Sequence, residues 1–133
     1  MTLQISVIAS DRDTFNKLKP IADSTRLVVE MTQSVEQCIV QTRSRRIICV
    51  ILDLPGRDGL VALESLRKAG LMAPAILVVD ANADLPAGNL SECGALDVLE
   101  KPADKRALLG WIECVCAANL AIARGREGLL SAA

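Results

Sequence analysis

A three-layer α/β fold, one parallel sheet covered by helices on both faces, follows from three observations. Two runs, Ile47–Leu52 and Ala75–Val79, are apolar at every position, as strands buried on both faces must be. Shorter apolar or β-branched runs alternate along the chain with segments whose apolar residues recur at helical spacing. Helix-starting acids and hydroxyls, and helix-ending glycine and proline, punctuate the alternation. A strand–helix alternation of this kind is the pattern of parallel sheets with crossover helices.

The elements follow in order. Ile5, Val7 and Ile8 mark the first strand. Ser10 is placed to cap a helix from Asp11 to about Lys19, Asp11 and Asp13 suit the dipole of its first turn, and Pro20 closes it. Leu27 to Met31 is the second strand, and Ser34-Val-Glu-Gln37 has capping-box spacing for a helix to about Arg45. Ile47–Leu52 is the third strand. Leu60, Leu63 and Leu66 recur at helical spacing between Gly59 and Ala69, and Gly70 ends that helix. Pro74 introduces the fourth strand, Ala75–Val79. From Asn82 to Cys93, where a fourth helix belongs, Pro86, Gly88 and Asn89 weaken the helical signal. Leu96 to Leu99 is the fifth strand. Asp104 caps a last helix, about Lys105 to Arg124, striped by Leu108, Ile112, Val115 and Leu120. Right-handed crossovers leave few topologies for such a (βα)5 chain, and the flavodoxin-like strand order 2-1-3-4-5 is the commonest at this size. Residues 1–124 form the domain, with 125–133 a short small-residue tail.

Composition narrows the function. A chain of 133 residues, 51% hydrophobic, is one domain with a full core and not a disordered segment. A net charge of −1 makes no electrostatic case for nucleic acid or an anionic membrane. No apolar run approaches the about 20 residues of a membrane span, and the N-terminus lacks the basic and apolar regions of a signal peptide. Five cysteines, no histidine and no C-x-x-C spacing point to reduced packing thiols rather than a zinc site, and to a cytoplasmic location.

In such a fold the working groups lie at the carboxyl ends of the strands, which read Ala9-Ser10-Asp11, Leu52-Asp53, Val79-Asp80-Ala81 and Glu100-Lys101-Pro102. Two motifs there carry a resemblance. Gly94-Ala-Leu-Asp-Val-Leu-Glu-Lys-Pro102 and Pro55-Gly-Arg-Asp-Gly59 resemble the fifth strand and the turn after the third strand in the receiver domains of two-component signalling, the chemotaxis-receiver-like family. The resemblance covers nearly the whole chain. It implies an acid pair after strand one that holds Mg²⁺, an Asp ending strand three that takes a phosphoryl group, and a hydroxyl and a lysine that bind its oxygens, since hard oxygens suit Mg²⁺ and phosphoryl oxygens need donors and positive charge.

Against that pattern the sequence departs at most positions. Ala9 and Ser10 stand where the acid pair belongs, and Asp11, one residue later, is the acidic remnant. The family writes D-x-x-x-P-G, and counting four back from Pro55 reaches Ile51, in agreement with ungapped spacing to Val79 and Lys101. A two-residue deletion in the following loop restores Asp53 as the candidate phosphoacceptor. Val79 replaces the hydroxyl, Val98 replaces the switch aromatic, and Lys101 stands as the phosphate-ligand equivalent. Each residue also has a structural reading. Asp53 suits a turn cap, Asp11 a helix start, and Lys101 an ion pair with either acid. Cys49, Cys114 and Cys116 suit packing. The Arg43–Arg46 cluster suits a solvated helix end, with a phosphate-ligand role open. Trp111 suits either core or a partner anchor.

The resulting expectation is a stand-alone pseudo-receiver, bacterial, not an enzyme, with a degenerate phosphorylation pocket and no cofactor or metal. It would act by protein–protein contact through the fourth-helix region, fifth strand and last helix. A histidine kinase, a phosphotransfer or other signalling protein, or a second copy of the chain are the implied partners. One alternative is a genuine single-domain response regulator phosphorylated on Asp53, with Asp11 and Asp53 as Mg²⁺ ligands. The other is a small flavodoxin-like ligand-binding or redox protein.

Overall fold

The structure, a computed structural model, describes residues 3–23, 27–80 and 94–132. Among these residues nine elements follow in chain order: β1 (Leu3–Ala9), α1 (Asp13–Asp23), β2 (Val28–Thr32), α2 (Val35–Gln41), β3 (Arg46–Asp53), α3 (Asp58–Lys68), β4 (Ala75–Val79), β5 (Ala95–Glu100) and a last helix, here α4 (Lys105–Ala132). The five strands form one parallel sheet in the order β2-β1-β3-β4-β5. The Asn82–Cys93 segment, where a fourth helix was expected, lies outside the described residues.

Alternation along β3 explains the two cores. Cys49 and Ile51 face one side of the sheet, where Ile5, Val7, Phe15, Leu18, Leu108 and Ile112 join them under α1 and α4. Val50 and Leu52 face the other side, with Ile8, Cys38, Leu63, Leu66 and Leu77 under α2 and α3. Ile51, Leu52, Leu63 and Leu66 are fully buried, and each such side chain contributes about 2 kcal/mol by leaving water. With both faces covered, nothing polar belongs on β3 until its end.

Several boundaries differ from the sequence reading. The first helix runs through Pro20 to Asp23 instead of ending before it. Proline removes the bond to the carbonyl four residues back. That carbonyl belongs to Asn16, which is exposed, so solvent can satisfy it. Asp11, not Ser10, makes the helix-opening bond, its Oδ1 accepting from the Asp13 amide at 3.0 Å. Ser34 does cap α2, accepting from the Gln37 amide at 3.2 Å, while Gln37 reaches back to the Gln33 amide at 3.0 Å. That helix stops at Gln41, short of Arg45. The Asp104 cap also forms, its Oδ1 accepting from the Arg106 amide at 3.0 Å. The last helix continues to Ala132, through most of the stretch expected as a tail. No helix among the described residues is long and apolar enough to cross a membrane.

The difference that matters most is at the end of β3. The strand continues past Leu52, and Asp53 pairs in register with Ala9 of β1 and Val78 of β4. The chain then turns at once. The Asp58 amide donates to the Pro55 carbonyl at 3.1 Å, and Gly56 takes a φ of 57°, a left-handed conformation that a side chain would strain. The following loop is therefore short, and the strand is long.

Candidate functional site

Three loop-facing strand ends build the site. Asp53 lies two residues beyond Ile51, one full period of the pleat, so its side chain leaves the sheet on the same face, toward α1 and α4. Ile51 is 0% exposed within the core beneath. The ungapped spacing that placed Ile51 beside Lys101 is thus corrected: the extra strand residues and the shortened loop put Asp53 there.

Asp53 is itself 0% exposed. Its Oδ2 accepts a hydrogen bond from the Thr14 hydroxyl at 2.7 Å. Its Oδ1 lies 2.9 Å from Lys101 Nζ, an ion pair at short range. No donor is aligned for a well-formed hydrogen bond to that oxygen, so the contact is charge against charge. The Asp53 carbonyl accepts from the Ser10 amide at 3.3 Å, tying β3 to the loop after β1.

Lys101 is shared. Its Nζ also donates to Asp11 Oδ2 at 2.9 Å. The backbone places it by donating the Lys101 amide to the Val79 carbonyl at 2.8 Å. The hydrogen bond to Asp11 first, then the short contact with Asp53, pushes the Lys101 ammonium above the ordinary lysine range, against the opposing effect of burial. Asp11 is held below the ordinary carboxylate value by its bond from Lys101, and next by the Asp13 amide. A buried carboxylate, an ammonium and a half-exposed carboxylate therefore lie in one row.

The remaining predicted positions contribute no such chemistry. Ala9 is buried and Ser10 exposed, and neither brings a carboxylate. Val79 is 6% exposed and packs into the core on the α2 and α3 side, while Val78, the register partner of Asp53, is equally apolar. Val98 packs against the same core. Asp80 is exposed beyond the end of β4. The Arg43–Arg46 cluster lies at the opposite end of the strands. Arg45 there donates to Gln4 Oε1 at 2.9 Å and pairs with Glu30 at 2.8 Å, while Arg43 and Arg46 are exposed. Trp111 donates from Nε1 to Asp97 Oδ2 at 3.0 Å and packs partly buried against the α1–α4 core. Burial pushes the Cys49 thiol up to about 12, with Cys116 adding to the shift, and burial raises Cys38 and Cys116 as well, so these thiols are unreactive packing groups. Cys114 is exposed, and Cys93 lies outside the described residues.

Thr14 is the site residue that the sequence reading missed. Its signal was present, since Thr14 shares the inward stripe of α1 with Leu18, one turn on, and a polar residue on an apolar stripe asks for a partner.

The donor set does not fit a divalent metal. Mg²⁺ needs several hard oxygens in an octahedron, and the two carboxylates that meet here among the described residues, Asp11 and Asp53, are each already on the Lys101 ammonium. Among the described residues no group of three or more acids, cysteines or histidines comes together.

The comparisons decide the family. Residues 5–113 match the profile of the response regulator receiver domain, which is most of the chain. The chain is a receiver domain. No curated protein sequence matches it. Solved structures similar to this receiver include the signal receiver domain of an HD domain-containing protein from Pseudomonas fluorescens Pf-5. That match has 20% identity and a TM-score of 0.71, covering 91% of this chain and 99% of that one. A response regulator receiver protein from Pseudoalteromonas atlantica matches at 21% identity and a TM-score of 0.70, over 87% and 98% of the two chains. The receiver domain of the Francisella response regulator 1452 matches at 15% identity and 0.67, over 87% and 98%. At these identities the likeness establishes the fold, while the profile establishes the family. Receiver domains are signalling modules of two-component systems that interact with kinases and other signalling proteins.

Proposed function

We propose that this receiver domain signals by protein–protein contact without phosphoryl transfer. The observation that carries the reading is the closure of Asp53. Its carboxylate is 0% exposed, with Thr14 on one oxygen and Lys101 on the other. An acid so placed is shut off from solvent, and an incoming phosphoryl group would have to displace Thr14 or Lys101 to reach it. The absence of a carboxylate at Ala9 and Ser10, and of a hydroxyl at Val78 and Val79, supports the same conclusion, because the pocket then lacks the acids to hold a metal and a hydroxyl at the end of β4 to orient such a group. The partner is a histidine kinase, a phosphotransfer protein or another signalling protein. The candidate surface is the face of β5 and α4, where Pro74, Leu96, Trp111, Cys114, Val115 and Ala118 line a shallow apolar groove. Leu96, 42% exposed, gives that face apolar character.

One observation favours a second reading. Asp53 ends its strand beside Lys101, where the family's chemistry places its acid, so a receiver phosphorylated on Asp53 is the competing proposal. Intact-mass analysis after incubation with acetyl phosphate and Mg²⁺ separates the two. The expected spectrum is unmodified protein. A phosphoryl adduct that disappears in Asp53→Asn overturns the contact-only reading in favour of the second.

A further inference from the structure

The geometry points to Lys17 as a positioning residue of this site: by holding the Ala103 carbonyl it fixes the loop that carries Lys101, so that α1 sets both contacts of Asp53. Thr14 makes the first of them directly, its hydroxyl 2.7 Å from Asp53 Oδ2. Lys17 follows three residues later on α1, and so lies on a neighbouring part of the same helix surface. Its ammonium donates to the Ala103 carbonyl at 2.9 Å, across 86 residues of chain. A lysine on a helix surface ordinarily keeps its charge in water while its stem lies along apolar surface. Lys17 instead carries its charge to the carbonyl of a residue that is 2% exposed, and its own side chain is 27% exposed. Asp13, one turn back and half exposed, steadies that ammonium from outside at 3.1 Å.

Ala103 has this effect because of where it lies. β5 ends at Glu100 and α4 begins at Lys105, and Lys101 is the first residue of the connection between them. The near end of that connection is anchored by the Lys101 amide, which donates to the Val79 carbonyl at 2.8 Å. The far end is anchored by Ala103, which is buried with Leu108 and Ile112 in the core under α1 and α4 and bonded to Lys17. Pro102 between them is exposed and has no amide hydrogen to donate. With both ends held, the Lys101 side chain leaves the loop at a fixed point, and its ammonium reaches Asp53 and Asp11 at 2.9 Å each. Hydrogen bonds from a charged donor are among the stronger ones, so losing the Lys17 bond releases the far anchor. The role is the same whether Lys101 only pairs with Asp53 or binds a phosphoryl oxygen, and so does not depend on which of the two functions holds.

The test is NMR of the lysine side-chain ammonium groups in the full chain, at neutral pH and low temperature, with no phosphodonor present. An ammonium held by acids exchanges its protons slowly with water and gives a resolved signal, which Lys101→Met assigns by its disappearance. In Lys17→Met the Lys101 signal is expected to move toward those of solvated lysines and to lose intensity to exchange. Lys17→Arg, which keeps a charged donor, is expected to retain it. Asp13→Asn leaves the Ala103 bond in place and is expected to leave the signal unmoved. A Lys101 signal unchanged in Lys17→Met overturns the inference even if the thermal midpoint falls, because Lys17 would then support the fold alone. An equal displacement in Asp13→Asn also overturns it, since the field around α1 and not the bond to Ala103 would be responsible. If Lys17→Met does not fold, Lys17→Gln is read by the same criteria, and loss of folding in both overturns the positioning role. A phosphoryl adduct in the acetyl phosphate experiment would sink the contact-only function and alter none of these outcomes.

Discussion

Asp53 brings a carboxyl group inside the protein, and two partners from distant parts of the chain make that tolerable. Leaving a buried charged acceptor unpaired costs more than losing an exposed one, because the desolvation has no return. Thr14→Val removes the hydroxyl while nearly preserving volume, and leaves Asp53 Oδ2 without its 2.7 Å bond. The expected effect is a loss of about 2 kcal/mol, read as a lower urea midpoint at unchanged m-value, with Thr14→Ser close to wild type. A Thr14→Val protein as stable as wild type would show that Oδ2 is satisfied some other way. Asp53 itself was legible in the sequence as an acid ending a buried strand. Its competitor Ile51 arose because spacing to Pro55, Val79 and Lys101 assumes a loop of constant length. Both residues face the same side of β3, so pleat alternation could not choose between them. The number of strand residues chose, and backbone pairing at Ala9 and Val78 sets that number.

At the scale of elements, what the sequence made legible was the interior of each unit. Continuous apolar runs marked β3 and β4, and leucine spacing marked α3, because burial leaves its period in the sequence. The ends were harder to read, since they depend on where individual bonds go. Pro20 is accommodated within α1 where Asn16, whose carbonyl it leaves without a partner amide, is an exposed residue, a fact of the tertiary fold and not of the local sequence. The second helix is the exception, where a local signal and the structure agree. Ser34 accepts from the Gln37 amide, and the Gln37 side chain accepts from the Gln33 amide just before it. Ser34→Ala is expected to lower stability by about 1 kcal/mol, whereas Ser34→Asp stays near wild type, both by chemical denaturation. An alanine variant with unchanged stability would mean that the cap bond contributes nothing net to this seven-residue helix.

For the whole molecule, the shared lysine sets the pH response. Asp11 titrates below its ordinary 3.8 when folded, so its contribution is complete above that value and is lost as pH falls through the lowered one. Lys101 titrates above its ordinary 10.5, so its contribution is complete below that value and is lost as pH rises through the raised one. Between those limits the pair adds no slope, and a chain without histidine has no side chain that ordinarily titrates near pH 6.5. Thermal midpoints of wild type and Asp11→Asn are expected to differ by a constant amount across the neutral range, and to converge in acid below 3.8. A difference that grows on acidification would contradict the pairing. Because Asp11 is half exposed, solvent screens the pair and the difference is small.

The position of Lys101 along the chain also has a consequence for synthesis. Asp11 leaves the ribosome 90 residues before the lysine that neutralises it, and Thr14 and Asp53 also emerge well ahead. Until β5 arrives, four strands and the helices between them can assemble around an acid whose counter-charge has not been made, and burying that charge alone is unfavourable. A nascent chain halted before Lys101 therefore lacks both the counter-charge of Asp53 and the core residues Leu108, Ile112 and Val115 of α4 that cover the same face. The final strand completes the sheet and supplies that missing counter-charge in the same step.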